Sequence, residues 1–136
     1  MQRSPELEAL VAEWFGGASK GDASIVDRFV SKHDGTRLIG SDPKEWLQGA
    51  PIADFLRGEA EGSGGAVTFA PSETEAYEEG TVGWAATRLT ISLADGRRVS
   101  PRWSAVFHRE DDGQWRFVQT HASIAVANDA IGWEYG

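Results

Sequence analysis

Apolar residues recur at helical spacing in the first part of the chain and at every second position in the second half. Leu7, Leu10, Val11, Trp14, Phe15 and Ala18 form one stripe, and Ser4, Pro5 and Glu6 ahead of it supply a cap, a first-turn proline and an acid at the positive end. The pattern predicts a first helix whose end Gly16 and Gly17 weaken. A second helix is expected from Asp22, with Ile25, Val26, Phe29 and Val30 on one side, stopping near His33-Asp34-Gly35. Thr36 to Ile39 reads as a short strand, and Asp42-Pro43-Lys44-Glu45 as a capping box that starts a short helix presenting Trp46 and Leu47. Pro51 opens a further helix with Ile52, Phe55 and Leu56 on its apolar side, and the stretch from Gly58 to Gly65 dissolves it.

From Ala66 the period changes to two. Four runs alternate β-branched or aromatic residues with small or polar ones: 66–70, extendable to Tyr77; 81–93; 98–109; and 115–126. Asp95-Gly96 marks a two-residue hairpin, and Glu110 to Gly113 a longer hairpin loop. Helices first and an antiparallel meander afterwards predict an α+β fold with the helices on one face of a curved sheet. With no internal repeat and no long interior linker, the expectation is one domain over residues 1–136.

The last run, WRFVQTHASIAV, puts Gln119, His121 and Ser123 on alternate positions, where a strand turns them to one side. If Arg109 pairs with Gln114, Ser104 falls opposite Gln119 and Arg102 opposite His121, and this polar face is expected to line a hollow roofed by the helices. A one-residue bulge would exchange some of these partners. The opposite face, with Trp103, Ala105 and Phe107 against Val118, Thr120 and Ala122, is largely apolar as well. Helices cover one face, and a second subunit is the simplest cover for the other, so a dimer is expected.

Composition narrows the partners. The balance of 13 Lys and Arg against 21 Asp and Glu gives a net charge of −8, which disfavours nucleic acid and anionic membranes. The absence of cysteine suits a reducing compartment, and MQRSPELEAL has no apolar leader core, so the cytoplasm is expected. No apolar stretch reaches the roughly 20 residues a spanning helix needs. Six Trp and six Phe in 136 residues supply much flat apolar surface for a core or a pocket.

The strings Asp42-Pro43-Lys44-Glu45-Trp46, Glu79-Gly80-Thr81-Val82-Gly83-Trp84, Arg102-Trp103 and Trp115 to Ser123, in this order of elements, resemble the SnoaL-like branch of the nuclear-transport-factor-2-like superfamily over nearly the whole chain. The resemblance implies a cone-shaped α+β barrel around a deep pocket, and a homodimer through the outer sheet face. Relatives include ketosteroid isomerases, scytalone dehydratase, polyketide cyclases and non-catalytic association modules, and the fold does not choose among them.

For chemistry, His121 is the candidate for proton transfer, since an imidazole facing a cavity can donate or accept near neutral pH. Gln119 and Ser123 are candidates to orient a carbonyl or hydroxyl, and Arg102 to clamp a carboxylate, to balance an internal acid such as Glu45 or Asp54, or to face solvent. Trp14, Trp46 and Trp84 are candidate lining for an apolar or aromatic ligand, and ordinary core packing explains each singly. The tyrosine expected of a ketosteroid isomerase on the first helix is replaced by Trp14 and Phe15, and Asp42 is explained by its capping box. His33, His108 and His121 are too scattered for a metal triad, and no cofactor motif is present, so neither metal nor cofactor is expected. These readings point to a small-molecule pocket protein: a cofactor-independent isomerase, lyase or cyclase acting on an apolar carbonyl ligand, or else a non-catalytic sensor or dimerisation module. Asn128 to Gly136 carries no assignment, although Ile131, Trp133 and Tyr135 alternate there.

Overall fold

The computed structural model describes residues 1–133, so Tyr135 lies outside the described residues. Strand β1 (Gln2–Arg3) leads into helix α1 (Pro5–Ser19) through Ser4, whose hydroxyl oxygen accepts from the Leu7 N–H at 3.2 Å and whose hydroxyl donates to Glu78 Oε2 at 2.6 Å. One side chain thus caps the helix and ties it to the sheet. The helix runs through Gly16 and Gly17. A Cβ at Gly17 would lie 2.4 Å from Ile25 Cγ2, so the glycine there serves close approach to the next helix, α2 (Ile25–Phe29). That helix is shorter than the apolar stripe suggested, because Asp22 accepts the Ser24 N–H and turns the chain before it.

Strands β2 (Arg37–Ile39) and β3 (Trp46–Gln48) form a hairpin where a short helix was expected. Half of the capping box forms: Glu45 Oε1 accepts from the Asp42 N–H at 2.9 Å, whereas Asp42 Oδ1 accepts from the Lys44 N–H at 2.8 Å and the Glu45 N–H donates to the Asp42 carbonyl. They close a turn, since Gly40 and Glu45 then pair across it and pull Trp46 into a strand. Helix α3 (Pro51–Ser63) follows and persists through Gly58 and Gly62 until Gly64 ends it in the left-handed region at φ 54°.

The remaining strands are β4 (Thr68–Glu79), β5 (Val82–Ser92), β6 (Arg98–Val99), β7 (Arg102–Arg109) and β8 (Trp115–Ser123). The described residues form a curved sheet in the order β1-β4-β5-β7-β8-β2-β3, with β6 beside β5. It is antiparallel except where β2 lies parallel to β8, because the helical N-terminal part returns the chain in the same direction. Two irregularities bend it. One falls between Ser72 and Glu75 in β4, where Glu73 takes φ 53°, and the other between Phe117 and Gln119 in β8.

The helices cover the inner face. Trp14 meets Phe117 edge-on at 4.8 Å and Phe15 meets Trp103 at 5.0 Å, so the first helix is clamped to β7 and β8 by perpendicular rings. Leu7, Val11, Ala76, Ala85 and Phe107 complete this layer near the sheet centre. Gly83 lets α1 come close, since a Cβ there would lie 2.3 Å from Leu7 Cδ1.

Candidate functional site

The helices do not fill the whole space against the inner sheet face between α1, α3 and β2. A cavity of about 290 Å³ remains there. Its walls are Trp14 and Phe15 from α1, Phe55 and Leu56 from α3, and Phe69, Trp103 and Phe117 from the inner sheet face. Thr120 adds a hydroxyl, Ser41 and Ser63 add two more, and Glu45 and Glu59 bring carboxylates. Among the described residues no Lys, Arg or His lines it.

Glu45 is held in place from two sides. Its Oε1 accepts the Asp42 N–H, and its side chain lies over Gly40, where an added Cβ would stand 2.5 Å from Oε1 and 2.6 Å from the Glu45 Cβ. Glu59 reaches the same cavity from the exposed side of α3. An apolar chamber with carboxylates on its wall can hold a ring by contact and a donor or cation by charge.

The expected inward face of β8 points the other way. His121 and Gln119 are exposed on the outer sheet face, Ser123 is half-buried on that face opposite Arg102, and Arg102 is itself exposed. These residues do share one face, as the alternation predicts, but it is the face away from the helices, and the pairing across it is displaced by two one-residue slips. Arg109 pairs with Trp115 instead of Gln114, and the extra residue Val118 then shifts the ladder again, so that Ser104 faces His121 and Val106 faces Gln119. The bulge lets Phe117, Thr120 and Ala122 all face inward, which a regular strand forbids. Arg102 is therefore separated by the sheet from Glu45, and Asp54 instead lies 3.5 Å from Arg57.

Of the three candidate tryptophans, Trp14 lines the cavity. Trp46 is 62% exposed on the edge hairpin beneath the Arg37 guanidinium, 4.7 Å from its ring centre. Trp84 stacks on Tyr77 at 6.3 Å on the outer face, beside a shallower hollow of about 260 Å³ that Glu75, Ser104, Val106 and Gln119 also line. Trp103 and Thr120 belong to the site through the strand face read as its cover, and Glu45 through the turn read as a helix start. Glu59 had a signal: with Ile52, Phe55, Leu56, Ala60 and Ser63 it repeats at helical spacing along one side of α3. Among the described residues no group of three or more His, Asp or Glu is placed to hold a metal ion.

Helices packed on one face of a bent, open sheet around an apolar chamber define the nuclear-transport-factor-2-like class. The SnoaL-like domain model matches residues 7–127, and the chain belongs to that family. No curated protein matches it. Solved structures share the fold at low identity. A superfamily protein from Salmonella enterica serovar Typhimurium is 17% identical with a TM-score of 0.72, covering 96% of this chain and 94% of that one. A candidate ketosteroid isomerase from Shewanella frigidimarina is 13% identical at 0.69, over 88% and 96%. The association domain of CaMKII from C. elegans is 16% identical at 0.67, over 87% and 92%.

Proposed function

We propose that this chain, acting as one domain over residues 1–136, binds an apolar, ring-bearing small molecule in the cavity beneath its helices. The observation that carries the reading is the aromatic-walled chamber of about 290 Å³, close to the lower bound of roughly 300 Å³ for small-molecule sites. Trp14 and Trp103 supply flat contact and Thr120 a hydroxyl for orientation. The test fills the chamber: Ala18→Phe and Ala122→Phe each place a ring in it. Naphthalene-type probes are expected to bind the parent protein saturably and these variants at least about tenfold more weakly, with far-ultraviolet circular dichroism unchanged. Equal affinity in folded variants would move the site elsewhere.

A second reading is catalytic. On a carbonyl-bearing ligand the cavity carboxylates are the groups with reach to take a proton, so a cofactor-independent isomerase, lyase or cyclase would be centred on Glu45 or Glu59 in place of His121. The likeness to a candidate ketosteroid isomerase supports it by analogy of fold. Loss of deuterium exchange next to the carbonyl of a bound cyclic ketone in Glu45→Gln and Glu59→Gln would support it. A non-catalytic sensor would bind the ketone without exchange.

The proposed partner beyond the ligand is a second copy through the outer sheet face, where Tyr77, Trp84 and Val106 leave apolar surface uncovered. Likeness to an association domain supports assembly of this kind. Among the described residues no helix is long and apolar enough to cross a membrane. The cytoplasmic setting is part of the proposal and is supported by the cysteine-free composition.

A further inference from the structure

The cavity has a charge of one sign. Glu45 and Glu59 both stand on its wall, no cationic side chain among the described residues lines it, and neither carboxylate takes part in an ion pair among them. Glu45 is not a wandering surface acid. The missing side chain at Gly40 gives it room, and the Asp42 N–H fixes Oε1, which leaves Oε2 without a hydrogen bond among the described residues. The rest of the wall is apolar and aromatic. Electrostatic focusing by low-dielectric walls strengthens the field of such groups, and a net charge of −8 adds to it.

Three ligand classes meet different energies there. An anion entering beside two carboxylates is repelled. A neutral ring covers the carboxylates and strips part of their water without return. A cation replaces the lost water with a charge-assisted hydrogen bond, and its approach to Trp14, Phe15 and Trp103 adds attraction from the ring faces. We propose that the ligand is an apolar ring compound carrying a protonated amine, its ring between α1, α3 and the inner sheet and its ammonium group at Glu45 and Glu59. This rests on the small-molecule reading of the same cavity and names the class that reading leaves open.

The experiment uses three probes of nearly equal shape: naphthalen-1-ylmethylammonium, naphthalen-1-ylmethanol and naphthalene-1-carboxylate, each titrated calorimetrically into the whole chain at neutral pH. The expected result is about fivefold or greater preference for the ammonium over the alcohol, with the carboxylate weakest. Glu45→Gln keeps the acceptor for the Asp42 N–H and should lower the ammonium affinity towards that of the alcohol, whose own affinity holds or rises because a charged group no longer loses water. Glu59→Gln, on an exposed helix position, should do the same without risk to folding. Raising salt should narrow the gap. Equal binding of ammonium and alcohol, or tightest binding of the carboxylate, overturns the charge assignment while the cavity reading stands. Failure of all three to bind at millimolar concentration overturns both.

Discussion

Gly40 is open because Glu45 occupies the space its side chain would need. Both the Cβ and the carboxylate of Glu45 are in the way, so rotation of the acid's far end cannot relieve the clash. Gly40→Ala is expected to cost about 1–2 kcal/mol in urea denaturation and to weaken an ammonium probe more than its alcohol analogue. A variant as stable as the parent would show that the contact is not tight. His121 gives the opposite expectation. It stands on the far side of the sheet from the cavity, so His121→Ala should leave the affinity for a ring probe unchanged, and a tenfold loss in calorimetry would contradict the placement. Its exposure could not be read from residue type, because a histidine on a strand flanked by apolar neighbours has the same local pattern whichever way the strand faces.

Elements with a local cause were legible. Helix α1 starts where Ser4 and Pro5 require it, and its buried residues Leu7, Val11, Trp14 and Phe15 follow the predicted stripe. Ser4 is 1% exposed and satisfies the Leu7 N–H as well as donating to Glu78, so Ser4→Ala should destabilise the fold by about 1–2 kcal/mol, with the loss read from the denaturant midpoint. An unchanged midpoint would mean that water replaces both bonds. The Asp42–Glu45 box shows where local reading stops: the same two hydrogen bonds close either a helix start or a hairpin turn, and the pairing of β2 with β8 selects the turn. The bulge at Val118 lies further out of reach, because one unpaired residue leaves no mark in an alternating run and yet reverses every side chain beyond it.

At the scale of the whole molecule, one sheet face is covered and the other is not. The uncovered face carries Trp84 stacked on Tyr77, with Val106 beside it in register. Sedimentation is expected to give twice the chain mass at micromolar concentration, and Val106→Arg to give a folded monomer. A parent protein that is monomeric there would refute assembly through this face. Acid stability follows from surface loops. Asp22, Asp95 and Asp112 are held below the ordinary 3.8 by hydrogen bonds from the Ser24 hydroxyl, the Arg97 N–H and the Arg116 guanidinium respectively. Because the folded value is the lower one, their contribution is present above pH 3.8 and is lost as pH falls through the folded values. The urea midpoint should therefore drop below pH 3.8, by a small amount because all three are solvent-exposed; a midpoint that rises on acidification would reverse the sign.

The amino-acid sequence alone determined the helices α1 and α3, the strands of the second half, the turns at Asp95-Gly96 and Glu110 to Gly113, the α+β class and the family, but not the strand at Trp46. Caps, turns and periodicity act over a few residues and need no partner to be recognised. Which sheet face meets the helices was decided by tertiary structure: β7 and β8 carry an aromatic face with Trp103, Phe107 and Phe117 and a polar one with Arg102, Ser104, Gln119 and His121, and packing of α1 buries the aromatic one. For the same reason the candidate site moved from His121, Gln119, Ser123 and Arg102 to the chamber of Trp14, Trp103, Thr120, Glu45 and Glu59, whose side chains come from segments that only packing brings together.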